Sequence, residues 1–296
     1  MNLAFSPDGR WLVTTGWDGN LRLWKMDNGA PPPDPSFSCQ QQEPLRGLAF
    51  SADGTEMATG SHGYTARLWR LADKNPCSPR FVIPAGPVVS DLALSRDGGW
   101  LATTSWEPDF TAKLWQLTGA KPPHLSAVLQ FKARVRSIAL SPDAHWLAAG
   151  ADDQTVQLLD ITDLTKAPIS LLGHQGRMFF LAFSPDGQSL ASLSEDHTIR
   201  LWDPARPTAE PAILHDSSGF STMSFSPDGR WLATGSGDGT VRLWCVQVDE
   251  LIRLAGRTAG RNLTKDEWQL YFPGEKYRKT FAEFTGLDQG VTPKGN

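Results

Sequence analysis

Residues 223–244 read Met-Ser-Phe-Ser-Pro-Asp-Gly-Arg-Trp-Leu-Ala-Thr-Gly-Ser-Gly-Asp-Gly-Thr-Val-Arg-Leu-Trp, and the same pattern occurs five more times upstream. Measured from the serine before the Pro-Asp-Gly turn, the copies stand at Ser6, Ser51, Ser95, Ser141, Ser184 and Ser226, spaced by 45, 44, 46, 43 and 42 residues. A period in the forties marks a propeller, a solenoid or an array. In the quoted copy, Met223 to Phe225 is a short apolar strand, and Ser226-Pro227-Asp228-Gly229 is a turn with proline fixing φ. Trp231 to Ser236 gives a second strand. Gly237-Asp238-Gly239 turns the chain again, and Thr240 to Trp244 gives a third strand. Three short antiparallel strands cannot bury both faces alone, so each copy must stack on its neighbours.

This pattern resembles the WD-repeat β-propeller family. The resemblance implies an all-β fold of six blades over residues 1–247, with repeats near 1–27, 45–72, 89–118, 135–162, 178–204 and 220–247. Residues 248–296 follow as a helical tail. In the family a fourth, outer strand precedes each new repeat, and Ser36 to Gln40 is a candidate for the first. The segment that would supply the last blade's outer strand has no counterpart before Leu3. A propeller fold by itself assigns no activity.

The composition fits one large repeat domain: 296 residues, 40% hydrophobic and 20% charged. Of twelve tryptophans, Trp24, Trp69, Trp115, Trp202 and Trp244 close a third strand, and Trp11, Trp100, Trp146 and Trp231 open a second one. Packing between blades accounts for these nine. A net charge of −4 argues against general nucleic-acid affinity. Cys39, Cys77 and Cys245 are odd in number and lack short metal-like spacing, so neither a disulfide nor a metal or other cofactor is expected. With no leader pattern and no apolar run near the roughly 18 residues that span a bilayer, a cytoplasmic chain without membrane association is expected.

The copies differ at informative places. The second has His62-Gly63 where the turn aspartate belongs, the third inserts Trp106-Glu107-Pro108 ahead of Asp109, and the fourth has Leu159 in place of tryptophan. The fifth follows the family most closely, with Gly173-His174 ahead of it and Trp202-Asp203 at its end. The resemblance implies a hydrogen-bonded chain of His174, Ser194, Asp196 and Trp202 inside that blade. His215, one residue out of register, is a candidate for the same task in the sixth. The second, third and fourth copies lack the histidine and are expected to rely on packing. Serine, histidine and aspartate together also suit a hydrolase. The repeat motif explains all three, and no oxyanion donor can be assigned, so the stabilising role is preferred.

Carried over by position, the family's binding face comprises Trp17, Arg46, His62, Trp106, Arg134, Arg136, Asp152, Arg177, Phe179 and Glu195. Arginine and tryptophan anchor interfaces, so this face suits an acidic peptide or protein segment; the bland reading is ordinary solvated charge. The expected function is a non-catalytic, protein-binding scaffold or sensor. Base stacking on Trp17 and Trp106 and a hydrolase at the channel mouth are the alternatives.

Beyond Trp244, Asp249 to Ala259 has helical spacing, and Leu263-Thr264-Lys265-Asp266-Glu267-Trp268 forms a capping box with a hydrophobic staple. The segment Gly260-Arg261-Asn262-Leu263-Thr264, Glu267-Trp268, Tyr271-Phe272-Pro273-Gly274-Glu275 and Tyr277-Arg278 is similar to the tail of large bacterial multidomain WD-repeat receptors. With a chain that opens inside a repeat, it implies the sensor part of a longer bacterial signalling protein. An open blade end exposing roughly 500 Å² of apolar surface would forgo on the order of 10 kcal/mol. The six repeats are therefore expected to close as a ring, or to require further blades.

Overall fold

Each blade is pinned by the turn used above as a ruler. In the first, Ser6 Oγ donates to Asp8 Oδ1 at 2.6 Å and accepts from Trp11 N at 2.9 Å. The same pair recurs at Ser51/Asp53, Ser95/Asp97, Ser141/Asp143, Ser184/Asp186 and Ser226/Asp228. Such side-chain to backbone bonds favour a turn over a continued ladder. The glycine after the aspartate takes a left-handed conformation, and in the fourth blade Ala144 takes it instead, at φ 56°.

The computed structural model describes residues 2–26, 31–71, 76–117 and 121–247. The first blade comprises β1 (Asn2–Phe5), β2 (Trp11–Thr15), β3 (Asn20–Lys25) and β4 (Phe37–Gln40); the second β5 (Leu45–Phe50), β6 (Glu56–Ser61), β7 (Ala66–Arg70) and β8 (Phe81–Ile83). The third comprises β9 (Leu92–Leu94), β10 (Trp100–Thr104), β11 (Thr111–Gln116) and β12 (His124–Gln130); the fourth β13 (Val135–Leu140), β14 (Trp146–Ala151), β15 (Val156–Asp160) and β16 (Ile169–Leu171). The fifth comprises β17 (Met178–Phe183), β18 (Leu190–Ser194), β19 (Thr198–Trp202) and β20 (Ala212–His215). The sixth has β21 (Phe220–Phe225), β22 (Trp231–Ser236) and β23 (Val241–Cys245), and no fourth strand among the described residues. All six sheets are antiparallel meanders in chain order. The expected helical tail lies outside the described residues. No described helix is long and apolar enough to cross a membrane.

The core is divided among the blade junctions. Leu21 and Leu23 of the first blade meet Met57 and Trp69 of the second, and four more apolar clusters join each later blade to the next. Among the described residues no such cluster joins the sixth blade to the first.

Two expectations need correction. Cys39 and Cys77 form a disulfide, their Cα atoms 5.0 Å apart. Their 38-residue separation hides the proximity, which arises only when β4 stacks on the segment leading into β8. Such bonds persist in oxidising surroundings rather than a reducing cytosol. Of the three blades without histidine, the second and third also keep a polar tie, whereas the fourth has Leu159 in place of the tryptophan: Trp69 Nε1 donates to Thr59 Oγ1 at 2.9 Å and Trp115 Nε1 to Thr103 Oγ1 at 3.0 Å, both buried.

Candidate partner-binding face

One backbone bond places the same loop position alike in five blades. His62 N donates to Pro44 O, Trp106 N to Pro87 O, Asp152 N to Arg134 O, Glu195 N to Arg177 O and Gly237 N to Gly219 O, all at 2.9–3.0 Å. Each bond ties the loop after the second strand to the entry of the first, so both sets of sequence-selected positions share one end of the fold. A bulge then re-aims one side chain. The ladder skips Arg46 between Leu45 and Gly47, Arg136 between Val135 and Ser137, and Phe179 between Met178 and Phe180. A bulged residue leaves the alternation of its strand, which explains why a strand position serves the rim of the sheet.

These residues meet in one cluster. The Trp17 and His62 rings lie 5.0 Å apart, and His62 and Trp106 6.2 Å. The Arg46 guanidinium sits 5.3 Å from the Trp17 ring and 4.7 Å from that of Trp106, while Arg134 sits 4.4 Å from Trp106. Arg134 and Arg136 both pair with Asp152, and Arg136 lies 5.9 Å from the Phe179 ring. Arg177 and Glu195 pair with each other at 3.6 Å, both more than half exposed, as a peripheral ion pair.

Three guanidiniums therefore meet one paired carboxylate. No carboxylate among the described residues forms an ion pair with Arg46. Burial, then repulsion from Arg134 and Arg136, lowers its pKa below the ordinary arginine value. His62 is likewise lowered, by burial and by Arg46, against the opposing pull of Glu43. His62 Nε2 and Trp106 Nε1 are buried without a hydrogen-bond partner. A cleft of about 470 Å³ adjoins, bordered by Trp106, Phe110, Lys132, Arg134 and Asp152. Lys132 and Phe110, which were not selected from the sequence, also border it; Phe110 follows the turn aspartate and reaches the cleft from a left-handed backbone, at φ 47°.

The departure at Gly63 also has a cause. A Cβ there would fall 0.8 Å from Glu43 Oε2. The Glu43 carboxyl thus occupies the space that the turn aspartate fills elsewhere. It acts on Arg67, four residues on, where Asp18 and Asp238 pair with Arg22 and Arg242.

In the fifth blade the hydroxyl at the centre is Ser192, not Ser194. Trp202 Nε1 donates to Ser192 Oγ at 2.7 Å, and Ser192 lies 2.7 Å from His174 Nε2. His174 Nδ1 lies 2.9 Å from Asp196 Oδ2. Ser194 only accepts from Asp196 N at 3.3 Å. The neutral imidazole completes this chain by donating through Nδ1 and accepting at Nε2. Burial lowers its pKa despite Asp196. Burial pulls the Asp196 carboxyl upward, but bonds from Thr198, Gln175 N and His174 outweigh it and hold it at about 2. The geometry mimics a Ser-His-Asp triad, yet Ser192 is wholly buried, so this serine cannot reach a substrate. His215 is exposed and does not repeat the role. Its neighbour Asp216, buried, accepts from Ser236 and Arg242 instead. Among the described residues no cluster of acidic, histidine or cysteine side chains could hold a metal ion.

Stacked meanders, the repeated turn and the tryptophan-to-hydroxyl bond define a WD-type repeat. The chain belongs to the WD domain, G-beta repeat family, which matches residues 1–25, 34–70, 78–116, 125–160, 166–203 and 212–245. Among curated relatives, it is 30% identical over 103 residues to Protein LST8 homolog of Drosophila melanogaster, covering 35% of this chain and 32% of that protein. It is 27% identical over 99 residues to Target of rapamycin complex subunit wat1 of Schizosaccharomyces pombe, covering 33% and 30%. It is 33% identical over 72 residues to Protein RAE1 of Arabidopsis thaliana, covering 24% and 21%. The matches span about a third or less of each relative.

Proposed function

We propose that this WD-repeat chain is a scaffold that captures an acidic segment of a protein partner on the Trp17–Arg46–Trp106–Arg136 face. The observation that carries the reading is Arg46: a half-buried cation between two indoles, with no carboxylate partner among the described residues and two arginines nearby. An incoming aspartate or glutamate relieves that repulsion, and the tryptophans supply anchor area. Base stacking is less favoured, because Trp106 is already engaged by Arg46 and Arg134. A relative named as a complex subunit supports a subunit role. A signalling context, as the sensor part of a longer bacterial protein, belongs to the same proposal and rests on the resemblance read in the segment from Gly260 onward alone.

The test compares centre and rim. Titration with a glutamate-rich peptide should weaken at least tenfold in Arg46→Glu, with an unchanged melting temperature, and less than threefold in Arg177→Glu, whose residue already has a carboxylate partner. Equal losses in both variants, or none in either, would remove the assignment.

A further inference from the structure

The third blade departs from the repeat in two loops, and both departures border one cleft. Pro44, Arg134, Arg177 and Gly219, whose carbonyls accept the loop bonds, are each followed by a buried apolar residue, Leu45, Val135, Met178 or Phe220. In the third blade an additional residue, Val88, separates Pro87 from the buried Val89. In the other loop, Gly63, Asp153 and Asp196 alone stand between the loop donor and the left-handed turn residue, whereas the third blade has Glu107, Pro108 and Asp109 there.

Val88 adopts a left-handed backbone, at φ 46°. Among the described residues, the other non-glycine residues in this region stand at turn positions where other blades have glycine: Tyr64, Phe110, Gln154 and His197 match Gly19 and Gly239, and Ala144 matches Gly9. Val88 belongs to neither turn. A β-branched side chain is strained in this conformation, and strain of this kind is kept mainly at functional sites. The cleft of about 470 Å³ is walled by Val88, Trp106, Phe110 and Ala133. Its charges cancel, Lys132 and Arg134 against Glu107 and Asp152, so its chemistry suits an apolar occupant. The Trp106 indole is shared: Arg46 lies 4.7 Å from it, and Arg134, which borders the cleft, 4.4 Å.

We infer that this cleft is a specificity pocket for a bulky apolar side chain, leucine or phenylalanine, two residues from the acidic residue held by Arg46. In an extended segment, residues two apart point to the same side about 6.6 Å from each other, which matches two subsites that share one indole. The pocket rests on the acidic-segment reading of the face and adds a second half to the recognised motif. The additional Val88 and the insertion at Glu107-Pro108 thereby gain a common purpose, since together they widen one loop end of the third blade.

Calorimetric titration of the full chain with three peptides tests this: glutamate-serine-leucine-serine-glutamate, the same with alanine for leucine, and the first with glutamine for both glutamates. The leucine peptide should bind at least about tenfold more tightly than the alanine peptide, the scale of a filled apolar pocket. Ala133→Leu, which fills the cleft, should abolish that ratio while leaving the affinity of the alanine peptide unchanged. Val88→Gly relieves the left-handed strain and removes a wall, so the ratio should fall with no loss of melting temperature. Arg46→Glu should weaken both glutamate peptides and keep their ratio. Equal affinity for the leucine and alanine peptides, with both still dependent on Arg46, would overturn the pocket alone, as would a ratio unchanged in both cleft variants. Glutamate peptides that bind no better than the glutamine peptide would overturn the acidic-segment reading and the pocket with it.

Discussion

Replacing Ser192 with alanine should destabilise the protein far more than replacing Ser194, although both serines lie on one strand and differ by two positions. Ser192 Oγ accepts from Trp202 Nε1 and bonds His174 Nε2, both at 2.7 Å. Its loss strands a buried indole N–H and an imidazole nitrogen. Each unsatisfied group costs about 1–3 kcal/mol, and because the two are coupled through His174 the costs do not simply add. We expect about 2–4 kcal/mol for Ser192→Ala, or a fall of roughly 5–15 °C at about 2–4 °C per kcal/mol for a domain of this size. Ser194 loses one long backbone bond of 3.3 Å, which puts Ser194→Ala below about 1 kcal/mol. Equilibrium denaturation with calorimetry measures both. A Ser194→Ala cost equal to or above that of Ser192→Ala would refute the assigned hub.

Ala144→Gly should raise stability by up to about 1 kcal/mol, since alanine there pays the left-handed penalty that glycine avoids; a fall on calorimetry would contradict this. Thiol titration of the oxidised, denatured protein should find Cys245 alone. Cys39→Ser/Cys77→Ser should lose up to about 4 kcal/mol from the 38-residue loop, and three free thiols in the wild type would sink the pairing. Asp91 turns its carboxylate onto Ile138 N, and burial raises its pKa to about 6. Its ionisation opposes folding fully above that value, and the opposition fades as pH falls toward 3.8. The stability difference between wild type and Asp91→Asn should therefore shift by up to about 3 kcal/mol in favour of wild type between pH 7.5 and 4. A pH-independent difference would contradict the raised pKa. His174 works in the opposite sense: its lowered pKa lets the unfolded chain protonate first, so the stability of the fifth blade declines as pH falls below 6.5. His174→Gln should remove that decline, and a decline that persists in the variant would refute it.

The three strands per blade, both turns and the outer strand at Phe37–Gln40 were legible because period-2 apolar runs and Ser-Pro-Asp-Gly turns are local signals. The choice between Ser192 and Ser194 was not, because alternate residues share a strand face. Spacing held the answer: Thr59 and Thr234 stand ten residues before their tryptophans, as Ser192 does. Asp216 hid in the same way, beside a histidine that drew attention. Glu43 was illegible because it fills the Gly63 site from another segment, and Cys39–Cys77 because their contact exists only across stacked blades. The candidate face residues were selected by position alone. Their mutual arrangement depends on bulges at Arg46, Arg136 and Phe179, which leave no mark in the local sequence.

The most direct measurement is a titration of the full chain with three ligands of equal length, a glutamate-rich peptide, a lysine-rich peptide and a single-stranded oligonucleotide, followed by tryptophan fluorescence. The account predicts saturable binding of the acidic peptide, weakened by salt and by Arg46→Glu, with the other two ligands at least tenfold weaker. Preference for the oligonucleotide, or acidic-peptide binding indifferent to Arg46→Glu, would contradict it.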